Sequence, residues 1–151
     1  MIDESNRIKT KADLDEWIHY EMSRYSQNNR GGVLAEFFEL GEKAVICKFQ
    51  KTLRKAEYYE NTYQRIKALC YKIKLKKMQC KYSLHIPLNC CGKGLKIMHT
   101  GLILINEKAA IGCNCVFHIN TSVVAGKPNN SAPTIGNGVC GSGISWWNRD
   151  C

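Results

Sequence analysis

"ILINEKAAIGCNCVFHINTSV", residues 103–123, decides the fold, because its apolar residues recur every six places rather than at helical spacing. Ile105, Ile111, Phe117 and Val123 hold one phase of the repeat. Ile103, Ala109, Cys115 and Thr121 hold a second, each of the last three falling four places after a member of the first. A helix brings together residues three and four apart, and no such stripe can be drawn here. Aliphatic and small residues alternating inward with a period of six predict a parallel β-helix, in which each short strand forms one side of a coil. Three sides make a turn of about eighteen residues, and successive turns stack at roughly 4.8 Å. By that count His99 stands one turn below Phe117, at an inward-type position. The pattern resumes at Ile135, Gly136 and Val139, so "AGKPNNSAPT" (125–134) reads as a loop thrown out from a corner.

Upstream of Pro87 the grammar is different. From Lys11 to about Ser83 the chain reads as helix, with breakers confined to "NNRGG" (28–32). Asp13 or Asp15 is the expected cap of a first helix carrying Leu14, Trp17, Ile18 and Met22 at spacings of three and four. "VLAEFFELGEKAVICKFQKTLRKAEYYENT" and "YQRIKALCYKIKLKKMQCKYS" show the same loose spacing with charged opposite faces. The expectation is a small helical unit followed by a β-rich one.

The chain has 151 residues, 44% hydrophobic and 23% charged, which suits one main core rather than two large ones. No apolar run approaches the length of a membrane span, and "MIDESNRIKTKADLDEW" is polar and acidic where an export signal would be basic and then apolar. A cytoplasmic protein is expected. Nine cysteines, an odd number without an export signal, point to thiols rather than a disulfide framework. Cys90, Cys91, Cys113 and Cys115 lack the two-to-four-residue spacing of paired zinc ligands, so no metal is expected. The net charge of +9 arises mainly in the first 82 residues, where 17 Lys and Arg face 11 Asp and Glu. The densest patch, "KIKLKK" (72–77), could meet nucleic acid or acidic lipid, but the ordinary reading is the solvated side of a helix. Without a nucleic-acid-binding motif, nucleic acid is not an expected partner.

Residues 86–140, from "IPLNCCGKGLKIMHTGLILINEKAAIGCNCVFHINTSVVAGK" to "APTIGNGVC", resemble the hexapeptide-repeat acyltransferases and, within them, the serine O-acetyltransferases. The helical first half is similar in kind to the N-terminal region of that family. The resemblance implies an α+β chain: a helical N-terminal region (1–83), a short left-handed parallel β-helix (84–140) with its extruded loop at 125–134, and a tail (141–151). It further implies a homotrimer, or pairs of trimers. The activity implied is transfer of acetyl from acetyl-CoA, a co-substrate, to the hydroxyl of serine in cysteine biosynthesis. No bound cofactor, metal or membrane is implied. His99, in "MHTG", matches the histidine that takes the hydroxyl proton. The chemistry suits the residue, because an alcohol attacks poorly until a base accepts its proton and a neutral imidazole can do so near pH 7. Holding thioester and alcohol together then supplies much of the rate. Gly126 and Lys127 open the loop where the family brings acetyl-CoA and acceptor together; His118, on the outward side next to a core position, is a candidate to face CoA or acceptor, the ordinary reading being a surface histidine.

Three positions depart from the family pattern. Met98 stands where an aspartate commonly precedes the histidine, Leu84 at the position matched to an orienting aspartate, and Ala132 where a second histidine precedes the loop proline. This variant pattern is closer to relatives associated with polysaccharide synthesis, so a sugar hydroxyl is the alternative acceptor. The tail "VCGSGISWWNRDC" breaks the hexad rule, and its codons, read one base later, are compatible with the "GGIEI" of the family. A frameshifted reading of a longer gene is the expectation there. A non-catalytic remnant that serves as an assembly module is the alternative from outside the enzymes. His19 and His85 have no context beyond a structural role.

Overall fold

The computed structural model describes residues 7–25, 41–125, 133–141 and, by backbone alone, 145–147. It is an α+β chain of two compact units, one of Ile8–Met78 and the other of Gln79–Cys151 together with Met1–Arg7. Among the described residues no helix is long and apolar enough to cross a membrane.

The first unit is built on α1 (Lys11–Ser23), α2 (Glu42–Asn61) and most of α3 (Arg65–Tyr82). α1 starts where it does because Thr10 is extended, which leaves its hydroxyl to accept the Asp13 N–H at 3.1 Å. The Asp13 carboxylate reaches back to the N–H groups of Thr10, at 2.8 Å, and Lys9, at 3.1 Å. The cap is therefore Thr10 and not Asp13 or Asp15. Asp13 is the third-residue partner of a reciprocal capping box. The backbone bond from Thr10, then that residue's side chain and the Lys9 N–H, hold the Asp13 carboxyl below the usual carboxylate range.

Leu14, Trp17 and Glu21, three and four residues apart, form the buried stripe of α1. Leu14 and Trp17 pack with Ile8, and with the partly buried Ile18 and Tyr58. α2 is buried along Phe49, Leu53 and Ala56. Among those residues lies a fully buried guanidinium. Arg54 donates from Nε to both Glu21 oxygens at 3.1 and 3.2 Å, from Nη2 to Glu21 at 2.6 Å, and from Nη1 to Glu57 at 2.8 Å. Its carbon end lies 4.9 Å above the Trp17 ring. Burial works against the charged guanidinium, but the two carboxylates outweigh it and hold Arg54 above its ordinary range. The forked geometry is one that arginine supplies and lysine does not.

Among the described residues the second unit has nine short strands: β1 (Leu84–His85), β2 (Lys96–Ile97), β3 (Ile103–Ile105), β4 (Ala110–Ile111), β5 (Val116–Phe117), β6 (Thr121–Val124), β7 (Thr134–Ile135), β8 (Cys140–Gly141) and β9 (Ser145–Trp147). They form three small parallel sheets, ordered β1-β3-β6-β9, β2-β5-β8 and β4-β7, with Cys91 bridging to Ile111 beneath the last. From β2 on, the chain visits the three sheets in rotation. Strands this short cannot stand alone. Each instead bonds to the strand one turn on, as Gly92 N–H to Ile111 O (2.9 Å) and Gly112 N–H to Ile135 O (2.8 Å) illustrate.

All eight hexad positions, Ile103, Ile105, Ala109, Ile111, Cys115, Phe117, Thr121 and Val123, are buried. The register supplies a correction. Ile97, not His99, pairs with Phe117, an offset of twenty residues where β3 to β6 gives eighteen (Ile103 with Thr121). The difference lies in one corner: residues 98–102 separate Ile97 from Ile103, whereas 118–120 separate Phe117 from Thr121. Two extra residues widen the lower corner and carry His99 out of the inward phase into solvent. Higher up, Ile111 pairs with Ile135, an offset of twenty-four, so the insertion at 125–134 leaves the stacking of β7 on β4 intact.

The corners use residues that tolerate a left-handed backbone. Asn89, Asn114 and Asn120 have φ between 55° and 61°, a region asparagine enters more readily than most side chains. Close stacking sets a second demand at Gly112. A Cβ there would lie 2.7 Å from the Gly136 carbonyl carbon and 2.8 Å from the Asn137 nitrogen. Among the described residues no two cysteines are joined as a disulfide. The Cys115 thiol, in an inward small-residue position, donates to the Gly136 carbonyl at 3.2 Å.

Two substitutions test these supports. Arg54→Met strands two buried carboxylates and is expected to lower the unfolding free energy by about 3–5 kcal/mol in urea titrations. Gly112→Ala drives a methyl into backbone and is expected to cost about 1–3 kcal/mol, read as a lower thermal midpoint.

Candidate active site

The widened corner and the one above it form the candidate site. β2 ends when the Met98 N–H donates to the Phe117 carbonyl at 2.9 Å, and the chain then turns out through His99 and Thr100. It is tied back by the Gly101 N–H to Tyr82 O (3.3 Å) and the Ile103 N–H to Ser83 O (2.9 Å). Gly101 has φ of 140°, and a Cβ on it would stand 3.0 Å from the Ile119 side chain. Glycine is required there on both counts, by backbone conformation and by the closeness of the upper corner.

The upper corner begins at His118. Its N–H donates to Gly141 O at 3.0 Å, and its carbonyl accepts the hydroxyl of the buried Thr121 at 2.8 Å. The same hydroxyl lies 3.3 Å from the Gly141 carbonyl. A polar side chain at an inward hexad position thus locks the backbone that presents His118. The two rings meet across the stacked corners, with centroids 6.4 Å apart and planes tilted by 47°. His99 is exposed and His118 half-buried. Leu102 and Ile119, each more than two-fifths exposed, supply the apolar surface of the two corners. The result is a pair of imidazoles on a fixed scaffold, one open to solvent, with hydrocarbon alongside.

Comparison of the chain with protein families, with curated proteins and with solved structures finds no match.

Of the residues singled out from sequence, His99 and His118 are brought together. Gly126 and Lys127 lie outside the described residues, as does Ala132. Leu84 is fully buried, pairing with Ile103 as part of the core, and Met98 is half-buried. His19 is exposed on α1, and His85 is half-buried on β1, opposite Leu104. Among the described residues no three His, Cys, Asp or Glu side chains gather as a metal site.

Sequence reasoning missed Gly101, Ile119 and Thr121 as the residues that position the pair. The signal was the unequal spacing of inward residues on the two coils, six places from Ile97 to Ile103 and four from Phe117 to Thr121. Gly101→Val is expected to force apart the two corners, costing about 1–3 kcal/mol of stability. A chain that still folds should lose the nuclear Overhauser contacts between the His99 and His118 rings.

Proposed function

We propose that the chain is an acetyl-CoA-dependent O-acetyltransferase of the serine acetyltransferase type, with its short strands wound as a left-handed parallel β-helix and His99 as general base. The observation that carries this reading is the exposed imidazole of "MHTG" standing 6.4 Å from the ring of His118. His99 accepts the proton of the acceptor hydroxyl as its oxygen attacks the thioester carbonyl. The proton then passes to the departing CoA sulfur, so no covalent enzyme intermediate is needed. His118 holds the acceptor beside it. Gly126 and Lys127 contribute to acetyl-CoA binding from the loop, and the lysine ammonium suits a CoA phosphate. The exposed Leu102, Leu104 and Ile119 offer apolar surface to neighbouring copies in a homotrimer.

A second acceptor has a specific observation in its favour. A carboxylate at the Leu84 position would orient the base, and Leu84 is instead sealed in the core. Met98 likewise lacks charge to answer the ammonium of serine. A sugar hydroxyl carries no ammonium and so makes no such demand of Met98.

Release of CoA thiol from acetyl-CoA, measured with serine and then with a panel of sugars, identifies the acceptor. His99→Ala is expected to lower turnover by about 10²–10⁴ with the active acceptor. Unchanged turnover in that variant would remove His99 from the chemistry, and absence of thiol release with every acceptor would remove the enzyme reading.

A further inference from the structure

α3 carries two apolar faces. Ala68, Leu75 and Met78 are buried, whereas Ile66, Leu69 and Ile73 are 81%, 59% and 50% exposed. At about 100° per residue these three fall within roughly 60° of arc, opposite the buried set. Tyr63, 89% exposed, extends the stripe just before the helix starts. Basic residues border it on both sides: Lys67 and Lys74 on one flank, Arg65 and Lys76 on the other, all exposed. From Arg65 to Lys81 the helix has seven basic residues and no Asp or Glu, and no acidic residue follows until Glu107. The lysines of "KIKLKK" lie on the solvated side of the helix, with Lys74, Lys76 and Lys77 exposed and Lys72 half-buried, and its Ile73 belongs to an exposed apolar stripe.

We propose that this face of α3 docks on an anionic lipid surface, the helix lying in the interface with Ile66, Leu69 and Ile73 at the acyl boundary and the flanking amines among the headgroups. A helix with an apolar stripe and basic borders matches the layered chemistry of that boundary. Long lysine side chains reach outward while their stems stay beside the stripe. The attraction comes from the one-signed charge, which an anionic leaflet complements. A second copy is disfavoured, since pairing α3 with itself brings two mainly positive faces together, even with Lys72 paired to Glu60 at 2.7 Å. Nucleic acid would use the amines and leave the three aliphatic side chains in water.

Cosedimentation of the whole chain with vesicles tests the proposal. The chain is expected to pellet with an equimolar mixture of phosphatidylcholine and phosphatidylglycerol, to remain in solution with phosphatidylcholine alone, and to be released by high salt. Lys67→Gln/Lys74→Gln/Lys76→Gln should weaken partitioning by at least about tenfold. Ile66→Asn/Ile73→Asn, which changes only exposed positions, should do the same with an unchanged far-ultraviolet circular dichroism spectrum. A chain that ignores anionic vesicles overturns the proposal. Binding that survives the two aliphatic changes also overturns it, by reducing the contact to adsorption of charge. So does binding to a single-stranded oligonucleotide or to polyglutamate that both sets of variants abolish while vesicle binding is absent, and so does self-association lost in Ile66→Asn/Ile73→Asn.

Discussion

Parallel stacking of very short strands is the constraint on which the second unit depends. A strand of two residues has neither the hydrogen bonds nor the apolar face to persist alone. Each of these strands borrows both from the strand one turn above or below it. Ile97 bonds in register with Phe117, and Ile103 and Ile105 with Thr121 and Val123. Once the register is set, anything the chain adds must go to a corner. Seven of the eight hexad positions hold hydrocarbon or a thiol. The eighth, Thr121, satisfies its hydroxyl on the carbonyls of His118 and Gly141.

That division between a periodic wall and variable corners also explains how the site arises. Two additional residues between Ile97 and Ile103 leave the ladders undisturbed and turn His99 away from the core. An inward histidine would have needed a buried partner and contributed nothing to chemistry. On the corner it meets the ring of His118, and Gly101 is what lets the two corners come so close. Further along the chain the ladder keeps its order as well, since Ile135 pairs with Ile111.

The six-residue spacing made the inward residues of the second unit legible, because burial in a stacked coil follows phase directly. It also showed the phase resuming at Ile135, which pairs with Ile111. The position of His99 was not legible from a uniform count, which put it under Phe117. Phase counting assumes equal corners, and the unequal ones are visible only when Ile97 and Ile103 are compared with Phe117 and Thr121. In the helical unit, hydrophobic spacing indicated α1 but not its cap, since Thr10 and Asp13 share the role. The Arg54 cluster was hidden for a plainer reason. Glu21, Arg54 and Glu57 have nothing in sequence to mark them as buried, and only the crossing of α1 and α2 joins them. Likewise α3 showed a loose helical stripe without revealing that it has a second, exposed one.

If the proposed function holds, the widened corner makes His99 and His118 one site for an acyl donor and a hydroxyl acceptor. Selective isotope labelling of the four histidines, followed by titration with acetyl-CoA, addresses it directly. The ring resonances of His99 and His118 should move together and saturate at the same ligand concentration, while those of His19 and His85 stay in place. Movement of only one of the pair, or of neither, would contradict the claim.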